Sequence, residues 1–272
     1  MKQNGQYALV TGGTSGIGYE LAKLLAADGY NLILVARTQG DLDRVAGELK
    51  ESYSVEVSTI SKDLFYPGNA FELTDEIREQ GIEISILVND AGQGQYGPFI
   101  ENDINRQLDI IHLNIESLVI LTQYFLKEMV GKGEGRILNL ASIAGKTPGP
   151  LQAVYHGTKA FVHSFTEAVR SEVKGSGVTI TSLLPGATDT DFFNKADMLD
   201  AKNVKEGELA DPAKVAKDGY EALMSGKDMV VSGFKNKMTV AMSNVLSDEA
   251  VAEKVKKQQS PAENERIDKS GI

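Results

Sequence analysis

The sequence predicts an α/β fold, a doubly wound parallel sheet of about seven strands with helices on both faces. Three observations predict it. Short apolar runs alternate with segments of helical period along the chain. The runs are apolar throughout, as strands covered on both faces are, whereas half-exposed strands would alternate. The first run also leads directly into a glycine-rich turn and then a helix, the place where such sheets hold phosphate-bearing ligands.

In chain order, Tyr7–Thr11 reads as a buried strand, and Ile17, Leu21, Leu24 and Leu25 then share one helical face until Gly29 ends the helix. Asn31–Ala36 is a second strand, and Leu42, Val45, Ala46 and Leu49 mark a second helix. Further strands are predicted at Val55–Ile60, Ile84–Asn89, Arg136–Leu140, Val178–Leu184 and Met229–Ser232. Two long helices are predicted over Ile104–Met129 and Ala153–Lys174. No repeat or linker interrupts the pattern, so residues 1–259 are expected to form one domain. Within it, 187–209 follows no clear period and reads as a lid beside the sheet's carboxyl edge. Residues 235–259 read as a C-terminal helical segment, with Met238, Ala241, Met242, Val245 and Leu246 on one face. Closing over the site, joining an interface, touching a membrane and simple docking onto the domain are all open to that face. The polar stretch 260–272 is expected to be a disordered tail.

The 272 residues are 42% hydrophobic, enough for a full core. The absence of cysteine excludes disulfides, thiolate chemistry and zinc–sulfur centres, and fits a reducing compartment. A formal charge of −10 argues against nucleic acid or an anionic membrane as the main partner, so any phosphate must be gripped locally. No run approaches the ~18 apolar residues of a membrane span and no leader pattern precedes the first strand, so a cytoplasmic protein is expected. His112, His156 and His163 form no metal-binding pattern, and no metal is expected; His156 is expected to pack. Gly145-Lys146-Thr147 lacks the earlier glycine of a P-loop, and Ser15 lacks the glycines of a nucleophile elbow.

The turn reads Thr11-Gly12-Gly13-Thr14-Ser15-Gly16-Ile17-Gly18. Small residues let the backbone approach a pyrophosphate, while the helix N-terminus offers free amides and a positive dipole end. The spacing Thr-Gly-x-x-x-Gly-x-Gly resembles the cofactor motif of the short-chain dehydrogenases/reductases, in their compact, single-domain, NADP(H)-preferring form. Those enzymes have a Rossmann-like fold. The resemblance recurs in order as far as about the seventh strand. It implies cofactor contacts from Gly12, Thr14, Ser15, Gly16, Ile17 and Gly18, and from Asp63 and Leu64 at the adenine. Asn89, Ala91 and Gly92 match the family's Asn-Asn-Ala-Gly turn, with Asp90 at its second place. Pro185, Gly186, Thr188 and Thr190 resemble the turn that holds the nicotinamide carboxamide. Asn114, Ser142, Tyr155 and Lys159 fall where the family's catalytic tetrad lies, and Tyr155 and Lys159 also border the cofactor.

The residues themselves support that chemistry. Reducing a carbonyl creates an alkoxide that must be protonated as it forms, and a tyrosine can donate the proton. Its free pKa of about 10 makes it a poor base for the reverse reaction, and a nearby ammonium lowers that pKa. Tyr155 and Lys159 are four apart in a predicted helix and share a face. Ser142, just past the fifth strand, is placed to hydrogen-bond the substrate oxygen. In the family a proton passes from the tyrosine through a ribose hydroxyl and the lysine to water near the asparagine.

Cofactor choice turns on the end of the second strand, where an acidic residue would bind the ribose hydroxyls of NAD and repel a 2′-phosphate. Here Ala36 is followed by Arg37 and Thr38, which favours NADP(H). The substrate side is expected to be lined by Gln93–Phe99, Ile143–Leu151 and the lid residues Phe192, Phe193, Met198 and Leu199. A bulky, weakly polar carbonyl or alcohol is therefore expected. A homodimer or homotetramer through the two long helices is expected from the resemblance, with Ile110, Leu113, Ser117, Leu118, Leu121 and Phe125 as spare apolar surface. The alternatives are a 3-oxoacyl carrier-protein reductase and a non-catalytic NADP(H)-sensing regulator. The sugar epimerases and dehydratases would need a G-x-x-G-x-x-G turn, which is missing.

Overall fold

The structure is a computed structural model and describes residues 5–243 and 245–262. Its strands are β1 (Tyr7–Thr11), β2 (Asn31–Ala36), β3 (Val57–Ser61), β4 (Ile84–Asn89), β5 (Gly135–Leu140), β6 (Val178–Leu184) and β7 (Met229–Val231). They form one parallel sheet in the order β3-β2-β1-β4-β5-β6-β7. The chain reverses direction across the sheet between β1 and β4, and Thr11 at the end of β1 pairs with both Val35 and Asn89. A ligand crevice opens at such a switch point, beyond the strands' carboxyl ends.

The helices are α1 (Gly16–Ala27), α2 (Gln39–Tyr53), α3 (Asn69–Glu79), α4 (Ile104–Ile111), α5 (Ser117–Lys132), α6 (Ala153–Glu172), α7 (Phe192–Lys195), α8 (Lys202–Lys205), α9 (Pro212–Met224), α10 (Phe234–Ser243) and α11 (Asp248–Gln259). Alternate strand residues feed opposite layers. Ala8, Val10, Leu32 and Leu34 pack with Leu21, Leu25, Leu42 and Leu223 on one face. Leu9, Ile33, Leu87 and Ile137 pack with Leu73, Ile77, Leu121 and Phe125 on the other. Two covered faces explain why the strands read as unbroken apolar runs.

Several elements differ from the sequence reading. Strand β3 starts at Val57, because α2 runs to Tyr53 and Ser54 turns left-handed at φ 56°. Helices α3 and α9 were not read; their apolar stripes, such as Leu73 and Ile77, or Val215 and Leu223, are short and flanked by charge. The predicted Ile104–Met129 helix is interrupted by a π turn at His112–Glu116. The residues expected as spare surface there are core: Ile110, Leu113, Ser117, Leu118, Leu121 and Phe125 are all buried. Ile104, Leu108, Val130 and Phe161 are the exposed apolar residues of α4, α5 and α6.

The lid region contains α7 and α8, closed by a small core of Phe193, Ala196, Met198 and Ala201. The C-terminal segment is two helices. The predicted apolar face of α10 points outward, with Met238, Ala241, Met242, Val245 and Leu246 exposed, while Val240 packs inward. The predicted tail begins with three ordered residues. Lys202 N donates to Ser260 O at 3.0 Å and Ala262 N to Asp200 O at 2.8 Å, so residues 260–262 pair with the lid. The rest of that stretch, 263–272, lies outside the described residues. Among the described residues no helix is long and apolar enough to cross a membrane.

Candidate active site

A cavity of about 730 Å³ lies over the carboxyl ends of the strands. Its floor begins at the glycine turn. Gly12 adopts φ +73°, a conformation that favours glycine. A Cβ on Gly18 would lie 2.4 Å from Asp90 Oδ2 and 2.5 Å from Gly12 O, so only glycine lets α1 pack this closely. Ser15 occupies the N-cap of α1, but its side chain caps nothing and stays available to a ligand. Gly12, Thr14, Ser15, Gly16 and Ile17 line the cavity; Gly18 supports it from behind.

At one end, Ala36 closes β2, and Arg37, Thr38, Asp63 and Leu64 line the cavity. The Arg37 guanidinium lies over the Phe65 ring, 5.3 Å from its centroid, with Arg106 5.0 Å from the same ring. Thr38 is the N-cap of α2 and makes no side-chain cap bond. Arg44 and Lys62 line this end too, but Arg44 lies 3.9 Å from Glu48 and Lys62 2.8 Å from Glu72. Among the described residues Arg37 makes no ion pair.

The turn after β4 is tied to β1 by Thr11, whose Oγ1 accepts from Asp90 N and Ala91 N at 3.2 Å each. Ala91 and Gly92 line the cavity. Asn89 does not: its Nδ2 donates to Thr122 Oγ1 at 3.0 Å and Asn139 Oδ1 at 2.9 Å, so its side chain ties β4 to β5 and α5. Pro185, Gly186, Thr188 and Thr190 line the far wall.

Ser142, Tyr155 and Lys159 come together on the cavity wall. Ser142 caps the short turn Ile143–Lys146, accepting from Ala144 N at 3.1 Å, and donates to Pro185 O at 3.3 Å. Tyr155 and Lys159 sit one turn apart on α6, with the Lys159 Nζ 5.9 Å from the Tyr155 ring centroid. That Nζ donates to Leu140 O at 2.7 Å. Burial pushes the Tyr155 phenol up to about 12, and the Ser142 hydroxyl only partly offsets this. The expected lowering by Lys159 is therefore absent. Desolvation dominates, and the ammonium donates to Leu140 O, with Asp90 as its neighbouring charge. The phenol is fully protonated at neutral pH, the state a proton donor needs.

Asn114 lies in the π turn behind this wall. Its Oδ1 accepts from Gln93 N, and its Nδ2 donates to Gln93 O and Thr158 Oγ1, all at 2.9 Å. The side chain ties the Gln93 loop to α6 and does not itself line the cavity. Of the expected substrate-side residues, Phe192, Phe193 and Met198 line the cavity, and Phe192 packs 5.0 Å from the Tyr155 ring. Phe99 and Leu199 instead face solvent. Gln152, Gln259, Asn236 and Thr239 line the cavity without having been singled out in the sequence; nothing in local spacing marks them, since three of them come from the C-terminal helices. Among the described residues no cluster of three metal-ligating side chains occurs.

Asp90 is a second departure. Burial pushes its carboxyl up to about 7, against the Lys159 ammonium and the Gly18 amide, and burial lowers Lys159 to about 8, against Asp90. The folded chain then binds the Asp90 proton more tightly than the unfolded chain, whose value is near 3.8. Its contribution to stability falls as pH rises from about 4 to 7. Lys159 acts oppositely above pH 8. Asp90→Asn removes the first decline, so denaturation at pH 5 and pH 7.5 should show the variant gaining on wild type by on the order of a few kcal/mol. No relative gain would refute the buried-carboxyl assignment.

The family profile described as short chain dehydrogenase matches residues 6–199. A very-long-chain 3-oxoacyl-CoA reductase of Anas platyrhynchos is 38% identical over 187 residues, 66% of this chain and 59% of that protein. The chain thus aligns with about three fifths of that curated relative's length. A short-chain dehydrogenase of Sphingobium yanoikuyae, solved with NADPH, superposes with a TM-score of 0.79 at 27% identity over 89% of this chain and 96% of that one. A bulky-bulky ketone specific alcohol dehydrogenase of Comamonas testosteroni gives 0.75 at 26% identity over 88% and 93%. With the parallel sheet, the glycine turn and a matched span of this length, the chain belongs to the short-chain dehydrogenase family.

Proposed function

We propose that this protein is an NADP(H)-dependent oxidoreductase that interconverts a carbonyl and an alcohol. The observation that carries the reading is that Ser142, Tyr155 and Lys159 share one cavity with the glycine turn and Arg37. The residues suit a dinucleotide: α1 aims its N-terminus at the turn, Gly12 and Gly18 leave no room for a side chain, and no carboxylate stands at Ala36. The 2′-phosphate would meet Arg37 and Thr38; the nicotinamide end would meet Pro185, Gly186, Thr188 and Thr190. When bound, the cofactor supplies or takes up the hydride.

The chain's own residues handle the oxygen. Ser142 Oγ orients the substrate carbonyl, and Tyr155 Oη donates its proton to the oxygen as negative charge develops. Lys159 Nζ, one turn along α6, would steady the resulting tyrosinate on turning toward it from Leu140 O. The apolar Phe192, Phe193 and Met198 favour a bulky, weakly polar substrate. The NADPH-bound Sphingobium enzyme and the bulky-ketone enzyme among the structural relatives support this reading.

The curated relatives favour a second substrate reading, a 3-oxoacyl thioester. The regulator alternative is weaker, because Ser142, Tyr155 and Lys159 are all present and converge. A homodimer or homotetramer in a cytoplasmic setting completes the proposal, supported by the outward Leu108, Val130 and Phe161 and by the lack of cysteine. Screening NADPH oxidation against aldehydes, bulky ketones, steroids and 3-oxoacyl thioesters tests it. Turnover with at least one ketone class is expected, and NADPH binding without any turnover across the panel would overturn it.

A further inference from the structure

Two amide atoms in the cavity that holds Tyr155 have no partner among the described residues. Gln152, just before α6, is 4% exposed, and Gln259, the last residue of α11, is 5% exposed. Gln259 Nε2 donates to Gln152 Oε1 and to His156 Nε2, at 3.2 Å each. His156 Nδ1 lies 2.9 Å from Thr147 O, and a carbonyl only accepts, so Nδ1 carries the ring proton. Burial lowers the His156 pKa, which keeps the ring neutral and its Nε2 a bare acceptor. Both hydrogens of Gln259 are thereby used, and the orientation of both amides is fixed by the network.

What remains is a donor, Gln152 Nε2, and an acceptor, Gln259 Oε1; both are buried and, among the described residues, unpartnered. Desolvated amide groups without hydrogen bonds are disfavoured, and a linked pair of them calls for a cause. Both side chains line the same cavity as Tyr155. A Cβ placed on Gly94 would sit 3.4 Å from Gln152 Nε2 and 3.3 Å from Tyr155 Cδ2, so the free donor and that ring border the same glycine. The acceptor is held from the opposite side. Tyr96 Oη donates to Gln259 O at 2.6 Å, and Ser260–Ala262 bind the lid immediately after.

We propose that Gln152 and Gln259 form a polar subsite for a second functional group of the substrate, one that both accepts and donates a hydrogen bond, namely a carboxamide or a hydroxyl. This rests on the carbonyl–alcohol reading above, and places that group a short chain away from the reacting carbon. A carboxylate is disfavoured, because it offers no hydrogen to the Gln259 oxygen. A simple ester or thioester carbonyl satisfies Gln152 alone. A hydrocarbon satisfies neither, and a site built around hydrogen bonds rejects such analogues strongly.

The test uses oxo-carboxamides of varied chain length, each matched with the ketone in which isopropyl replaces the carboxamide. Affinity is measured by calorimetry on the full chain loaded with NADP⁺, which cannot reduce a ketone. At the best chain length the carboxamide is expected to bind about 10–100-fold tighter than its isopropyl match. Gln152→Leu and Gln259→Leu are each expected to bring that ratio near one. Equal affinity for both members of every pair, or no binding by any carboxamide, overturns the subsite, and neither result depends on a variant folding. Reduction of the same compounds with NADPH is read separately. Turnover without discrimination leaves the proposed activity standing and removes the subsite; discrimination without turnover supports the subsite and removes the proposed activity.

Discussion

Tyr155→Phe is expected to lower kcat by about 10²–10⁴-fold while leaving NADPH affinity close to wild type. The ring makes most of the local contacts, at 5.0 Å to Phe192 and edge-on to His156 at 6.1 Å, and phenylalanine keeps them. Only the hydroxyl goes, and with it the proton for the nascent alkoxide. Ser142 cannot substitute, since an aliphatic hydroxyl is a far weaker acid than a phenol and can hold the oxygen without giving up its proton. Burial pushes the phenol up to about 12, which sets the direction of the pH effect. Carbonyl reduction uses the protonated form and is expected to persist through neutral pH. Alcohol oxidation uses tyrosinate, which is scarce at neutral pH, and is expected to accelerate as pH rises. Stopped-flow or steady-state rates in both directions between pH 6 and about 10 check this. A Tyr155→Phe enzyme with half of wild-type activity would refute the assignment.

Arg37→Ala is expected to weaken NADPH binding by roughly 10- to 150-fold and to change NADH binding little. The other two cations at that end, Arg44 and Lys62, are engaged with Glu48 and Glu72. Arg37 is held against the Phe65 ring, which limits its rotamers without neutralising it. Pyrophosphate and ribose contacts serve both cofactors and cannot discriminate. Ala36→Asp adds repulsion at the end of β2 and is expected to move preference toward NADH. The ratio of kcat/KM for the two cofactors reads both variants. Equal use of NADH and NADPH by the wild type would contradict the proposal, as would an unchanged ratio in Arg37→Ala.

Much of the site was legible because its parts are local. The glycine turn follows β1 without a gap, Arg37 follows β2, and Tyr155 and Lys159 are one helical turn apart. A helix places such a pair on one face whatever surrounds it. The strands were legible for a related reason: a parallel sheet covered on both faces favours apolar runs, and the two core layers hold most of the apolar residues in them. Elements with short apolar stripes, α3 and α9, were not legible, because their burial depends on the sheet they lie against.

The sequence alone determined the fold class, the position of the glycine-rich turn, the order of Ser142, Tyr155 and Lys159, and the lack of an acidic residue at the end of β2. Each follows from chemistry within a few neighbouring residues. Only the tertiary structure decided the rest. It turned Ile110, Leu113 and Phe125 inward, since a helix crossing the sheet buries more than one stripe. It spent the Asn114 amide on the Gln93 loop, and turned the Lys159 ammonium to Leu140 O, with Asp90 as its neighbouring charge. It carried Gln259 across more than a hundred residues to meet Gln152. Desolvation and hydrogen bonding between segments distant in sequence depend on where the whole chain packs, and no local pattern encodes that.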